Sequence, residues 1–448
     1  MAILSKEEAQ VILKKVIGYS TADECMVSLR GSEAGNIRYA RNAVSTAGES
    51  STMELAVSSV FGKKVGTASI NEFDDESLKK VVQRAEELAK LAPENPEYMP
   101  VLGPQTYGES PTYVESTAAI DPLKRAEMVG QSLAVSKAAN LEAAGFLNNS
   151  KGFRSIMNSK GLFAYNKNTN VSFSVTIRNR EGTGSGYVSN SFNDVNKLNT
   201  GALSKIAAEK AQKSAGARAI EPGKYTVILE PLAVSDMVEW ISRGFDARSA
   251  EEGRSYMSKK GGGTRLGEQL FDEKISIYTD PTHPELPTAT WNMEGLPLKK
   301  TTWVENGVVK NLEYSRYWAA QKGVEPLPLG SGGGRGFGGG GGIIIPGGTA
   351  SLEEMISTTD RGILVTRFWY IRSVDPQTLL LTGLTRDGTF YIENGQIQFP
   401  IKNFRFNESP VIMLNNVEEL GKTVRSGSIL VPPMKIRDFT FTSLSDAI

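Results

Sequence analysis

Apolar positions along the chain change period several times, and each change marks an element. Ser5-Lys6-Glu7-Glu8 has the form of a capping box, and Val11, Ile12, Val16 and Ile17 follow at helical spacing. Short β-like runs come next at 24–30, 35–42, 53–61 and 64–70, with Gly62-Lys63-Lys64 as a hairpin connection. The most regular period predicts a helix over 75–91, with Leu78, Val81, Val82, Ala85, Leu88 and Leu91 on one face. Pro93, Pro96 and Pro100 end it and begin an extended linker. Asp121-Pro122 sets a capping residue before a proline at the first helical position, predicting a helix over 121–139. Strand runs at 141–148, 153–158, 162–167, 170–178 and 186–192 precede a helix predicted over 194–216.

The second half reads differently. Lys224 to Glu230 is an apolar strand candidate, and a helix candidate covers 232–245. Two later segments share one design: Thr301–Val304, then Glu305-Asn306-Gly307 and Val308-Val309; and Thr389–Ile392, then Glu393-Asn394-Gly395 and Gln396–Gln398. Asn-Gly between alternating apolar runs signals a two-residue hairpin turn, because both turn residues need positive φ. The fold class expected is α+β. An N-terminal α+β domain should occupy 1–218, and a β-rich domain with a twisted, barrel- or sandwich-like sheet should occupy 219–448.

Composition narrows the chemistry. Lys+Arg and Asp+Glu are both 50, so no basic excess speaks for direct nucleic-acid binding. No signal peptide pattern and no run of about 18 apolar residues is present, which fits a cytoplasmic chain without a membrane span. One cysteine, Cys25, excludes an internal disulfide; within a strand pattern it reads as a half-buried structural thiol. The one histidine, His283, sits in the proline-rich turn Asp280-Pro281-Thr282-His283-Pro284-Glu285. One His and one Cys leave at best a carboxylate-dominated site, which is unusual for zinc. A serine triad would need that same histidine, and Gly182-Thr183-Gly184-Ser185-Gly186 sets its serine one place too late for a nucleophile elbow. No Asp-x-Asp-x-Asp-Gly calcium loop is present, although plentiful carboxylates leave a Mg²⁺ or Ca²⁺ site open.

Residues 330–342 hold eleven-odd small residues in the order G-S-G-G-G-R-G-F-G-G-G-G-G and then run into Ile343-Ile344-Ile345-Pro346. A phosphate loop needs Gly-Lys-Ser/Thr leading into a helix, and neither feature is present. Two readings stay open: a mobile surface loop, or a backbone-rich wall on which Gly332, Gly333, Gly334 and Arg335 pair with an extended peptide.

The N-terminal strand pattern, the Trp303-Val304-Glu305-Asn306-Gly307 and Tyr391-Ile392-Glu393-Asn394-Gly395 hairpins, and the tail Arg425-Ser426-Gly427-Ser428-Ile429-Leu430-Val431-Pro432-Pro433 together resemble the TldD/PmbA family over nearly the whole chain. The tail is most similar to the PmbA (TldE) branch. The resemblance implies a metallopeptidase-related, cytoplasmic protein. Its TldD branch carries a His-Glu-x-x-x-His helix and a C-terminal cysteine as metal ligands, and pairs with PmbA/TldE to cleave unfolded peptides. Carried onto this chain, the motif glutamate falls on Glu239, which would survive as a base-like carboxylate. The ligand positions fall on Val238, Arg243 and Ser426, so no metal or other cofactor is expected. Arg243 would instead hold a peptide carboxylate, or be an ordinary surface charge. The resemblance therefore implies a non-metal subunit, inactive alone, that pairs with a TldD-like subunit or with itself. The alternative is a non-enzymatic homodimeric regulator, matching the older label of DNA gyrase modulator.

Overall fold

The computed structural model describes residues 3–330 and 342–445. The N-terminal half is built on one six-stranded antiparallel sheet. Its spatial order is Lys64–Ile70, Ala43–Phe61, Glu24–Ala40, Glu142–Asn158, Phe163–Arg178, Ser185–Phe192. Helices Lys6–Ile17 and Asp75–Leu91 cover one end of a face, and Pro122–Ala138 and Thr200–Lys213 cover the other. Odd-numbered side chains of Glu24–Ala40 (Cys25, Val27, Leu29, Ile37, Tyr39) point under the helices and are buried.

Six strand predictions merge into three. The runs at 24–30 and 35–42 are one strand, Glu24–Ala40; those at 141–148 and 153–158 are Glu142–Asn158. The runs at 162–167 and 170–178 likewise join as Phe163–Arg178. The polar and glycine residues that look like breaks lie inside continuous ladders. Gly35 is there for close approach: a Cβ would stand 2.0 Å from the buried Arg125 guanidinium. The capping box at Ser5 forms, but the first helix buries Ala9, Leu13 and Val16 and leaves Val11 67% exposed. The helix Asp75–Leu91 starts and stops as predicted, yet Leu91 lies past the sheet edge and is 85% exposed. The helix predicted over 194–216 shrinks to Thr200–Lys213, because Asn199 caps it by accepting from the Ala202 N–H at 2.9 Å.

The C-terminal half holds a closed barrel. Arg361–Asp375 pairs in parallel with Lys224–Leu229, which pairs antiparallel with Met434–Leu444. That strand pairs with Phe404–Glu408, which pairs with Leu380–Glu393, which returns to Arg361–Asp375. Phe368, Phe404, Phe406, Phe439 and Phe441 fill the interior, with neighbouring ring centroids 4.7–5.8 Å apart. A second six-stranded sheet includes Thr301–Glu305, Ile343–Ile344, Ile429–Val431 and Val424–Ser426. Both Asn-Gly hairpins are present, with positive φ at Asn306, Gly307, Asn394 and Gly395. Helix Pro231–Ser242 lies between the barrel and this second sheet, burying Ala233, Val234, Met237, Val238 and Ile241.

Strand Lys64–Ile70 packs against helix Asp75–Leu91 through Gly66, where a Cβ would meet Ala89 N at 2.1 Å and Ala85 O at 2.3 Å. Gly66→Ala should cost about 3 kcal/mol, since only backbone can give way. Gly130, exposed in the helix Pro122–Ala138 with open space around it, should gain about 1 kcal/mol as Gly130→Ala. Urea midpoints for the two variants should move in opposite directions.

Candidate functional site

Helix Pro231–Ser242 is the centre of the site. Pro231 at its first position and the preceding extended Glu230 start it, and Glu230 gives its carboxylate to Lys210 of the N-terminal half rather than to the helix. The buried side is mainly apolar, with Ser235 and Ser242 also buried; Glu239 and Arg243, at i and i+4, are exposed, and Asp236 lies between the two sides. The helix is shorter than the 232–245 prediction, which makes Arg243 its C-cap residue.

Of the sequence-predicted residues, Glu239 and Arg243 are both exposed, and the Arg243 guanidinium stacks 4.0 Å from the Trp240 ring centroid. Val238 is buried in the apolar core. Ser426 is buried at the end of strand Val424–Ser426, which touches this same helix. The helix that carries Val238 and Glu239, with Arg243 at its end, is thus in contact with the strand that carries Ser426. Gly332, Gly333, Gly334 and Arg335 lie outside the described residues; Gly342, at their border, donates its N–H to Ser428 O at 3.1 Å. Cys25 is a buried core thiol, and burial pushes its pKa up. His283 accepts the Glu285 N–H on Nδ1 at 3.2 Å within its turn.

Sequence reasoning missed Asp236. Its carboxyl is enclosed between the helix and the barrel and accepts the Phe368 N–H at 2.9 Å. Burial pushes its pKa up to about 7; the Phe368 bond and Arg367 oppose the shift, and Glu239 adds to it. No periodicity marks such a residue, because its surroundings come from a strand 130 positions on in the chain, at Arg361–Asp375.

The helix-free face of the N-terminal sheet carries polar rows, and its last strand touches strand Val424–Ser426. Asn36, Asn148, Ser172 and Ser191 stand in register across four strands, and Ala34, Ser150 and Asn170 form the next row. These side chains are half-buried, small and uncharged. At one corner Ser191 Oγ donates to Gly427 O at 3.2 Å, and Arg425 Nη1 donates to Asn193 Oδ1 at 3.0 Å. The segment 43–52 forms an open edge, since strand Lys64–Ile70 pairs only from Leu55 onward.

Three family domains match the chain: PmbA/TldA metallopeptidase domain 1 over residues 25–89, the central domain over 109–215, and the C-terminal domain over 222–443. The chain belongs to the PmbA/TldD family. It is 22% identical to metalloprotease PmbA of Escherichia coli O157:H7, over 96% of this chain and 92% of that one. It is 26% identical to an uncharacterized protein of Methanocaldococcus jannaschii, over 81% and 84% of the two chains. Its fold matches TldE from Thermococcus kodakarensis with a TM-score of 0.85 at 21% identity, over 97% of this chain and all of the other. A Thermotoga maritima protein labelled a candidate modulator of a DNA gyrase matches with a TM-score of 0.86 at 19% identity, over the same shares.

PmbA/TldD relatives named as zinc metalloproteases raise the question of a metal. The residues at the positions that the resemblance assigns to metal ligands do not fit one. Val238 has no lone pair, Arg243 is a permanent cation, and Ser426 offers a hydroxyl where a thiolate would stand. Among the described residues no group of three or more His, Cys, Asp or Glu is placed to hold a metal ion. Among them, too, no helix is long and apolar enough to cross a membrane.

Asp236 yields a test. A carboxyl whose native pKa lies above its unfolded value of about 4 binds more protons when folded. Its stabilising contribution is complete below about pH 4 and is lost as pH rises through about 7. Asp236→Asn keeps the acceptor for Phe368 N–H and cannot ionise. The difference in urea-unfolding stability, variant minus wild type, should therefore grow from pH 4 to pH 8, by no more than about 4 kcal/mol.

Proposed function

We propose that this chain is the non-metal subunit of a cytoplasmic PmbA/TldD-type protease complex that acts on unfolded peptides. It pairs with a TldD-like, metal-bearing subunit, closes the chamber around the substrate, and holds an extended peptide that the partner cleaves. The observation that supports the reading is the chemistry of Val238, Arg243 and Ser426, carried on a helix and a strand that touch each other: none has a side chain suited to zinc. Glu239 keeps a carboxylate on the same helix face, but one carboxylate alone does not activate water on a metal.

The holding role rests on the chemistry of the surfaces. Neutral amide and hydroxyl rows on the helix-free sheet face suit the N–H and C=O groups of a peptide without selecting its sequence. The open edge at 43–52 can accept a strand. Arg243, exposed and stacked on Trp240, presents a guanidinium to a peptide carboxylate.

Offered an unfolded peptide, the purified chain should show no cleavage, and adding a TldD-like relative with an intact His-Glu-x-x-x-His helix should produce chelator-sensitive cleavage. Chelator-sensitive cleavage by this chain alone would overturn the proposal. A homodimer that ignores the TldD-like relative and binds gyrase stoichiometrically would replace it with the regulatory reading.

A further inference from the structure

We infer that Trp369 and Tyr370, on the rim where the barrel meets the polar sheet face, form an apolar subsite that docks an aromatic or large aliphatic side chain of the held peptide. The inference rests on the peptide-holding reading above and names the side-chain class that this rim selects.

Trp369 and Tyr370 are neighbours in strand Arg361–Asp375, with ring centroids 5.4 Å apart. They are 40% and 59% exposed. Of the five tryptophans, Trp291 and Trp303 are buried, Trp240 and Trp318 are half-buried, and only Trp369 is exposed.

The local fold turns these two rings outward. Strand Lys224–Leu229 pairs with Arg361–Asp375 only as far as Val365. The Phe368 N–H then goes to Asp236, and the ladder to Leu380–Glu393 slips by one residue between Trp369 and Arg372. A bulge of this kind re-aims side chains and is common beside functional sites. Within it Tyr370 takes a left-handed backbone, φ 56°. A bulky residue is strained there, and such strain concentrates where a site needs the side chain. Glycine would make the same turn without strain and without an exposed ring, so the fold alone does not call for tyrosine.

Both rings are braced. The Arg386 guanidinium lies 4.0 Å from the Trp369 ring centroid, and that of Arg372 lies 4.4 Å from the Tyr370 centroid. Arg367, the direct cross-strand partner of Arg386, lies 3.9 Å from the Tyr187 centroid. A rigid aromatic pair offers contact area at little cost in side-chain freedom. Tyr187 shares strand Ser185–Phe192 with Ser189 and Ser191, two and four positions on and on the same face. Through Tyr187 and Arg367 the rim therefore continues the polar face, within reach of a peptide lying on it.

The size of the rim decides its occupant. The exposed parts of Trp369 and Tyr370 amount to roughly 200 Å², on about 150–250 Å² for a whole aromatic side chain. A stable subunit interface needs about 800 Å² from each partner. One side chain of an extended peptide covers the rim. An unfolded chain presents its large apolar side chains, whereas a folded one buries most of them. The polar rows meet the main chain of the peptide, and the rim adds a choice of side chain.

The test is calorimetric titration of the full chain with an unstructured 15-residue peptide carrying two phenylalanines, and with the same peptide carrying serines in their place. The phenylalanine peptide should bind about 10-fold more tightly. Trp369→Ser and Tyr370→Gly should each reduce that preference to about 3-fold or less and leave binding of the serine peptide unchanged. Tyr370→Gly relieves the left-handed strain, so it covers the case in which Trp369→Ser fails to fold. Equal binding of the two peptides, or a preference that survives in the folded variants, overturns the subsite and leaves the peptide-holding reading standing. Variants that keep the preference but no longer pair with a TldD-like subunit in sedimentation also overturn it, by assigning the rim to a subunit contact. Failure of both peptides to bind overturns both readings together.

Discussion

Burial of one apolar helix stripe organises the rest of the molecule. Ala233, Val234, Met237, Val238 and Ile241 are sealed between the barrel and the second sheet, and each large side chain contributes about 1.5–3 kcal/mol by leaving water. Once that stripe is inside, helix geometry turns Glu239 and Arg243 outward and sets Asp236 against the barrel strand at Phe368. The same constraint determines what this helix can offer chemically. A histidine at position 238 would have to reach out of an apolar core, whereas valine is satisfied there. The helix thus serves the fold on one side and presents one cation, Arg243, and one carboxylate, Glu239, on the other.

The two halves of the chain join through charged and polar contacts around that helix. Lys210 meets Glu230 just before the first turn, with both side chains 15% exposed. Ser185 meets Asp387 at the barrel, Ser191 donates to Gly427 O, and Asn193 accepts from Arg425. Such contacts contribute less than hydrophobic burial but are directional. They fix the last strand of the N-terminal sheet to the barrel and to the turn at Gly427.

Local signals were legible in the sequence wherever a short stretch decides its own structure. The Asn306-Gly307 and Asn394-Gly395 turns, the Ser5 and Asp121 caps and the ends of the helix Asp75–Leu91 all follow from backbone chemistry within a few residues. Strand lengths were not legible, because Gly35 and the Asn/Ser runs look like turns until Arg125 and the neighbouring ladders are in place. The exposed Val11 shows the same limit: helical spacing marks an apolar face, but the sheet decides which residues it covers. At the site, the motif comparison brought out Val238, Glu239, Arg243 and Ser426, since each is a position in a string. Asp236 and the facing arginines were hidden, because their character comes from strand register set by barrel closure.

The proposed function stands on a chemical exclusion: Val238, Arg243 and Ser426, the positions that the resemblance assigns to metal ligands, carry no side chain suited to zinc. The most direct measurement is the zinc content of the purified chain by elemental analysis, after expression in zinc-supplemented medium and exhaustive dialysis without chelator. The account predicts far less than one zinc per chain. A tightly held zinc at about one per chain, released together with a loss of thermal stability on chelation, would contradict it.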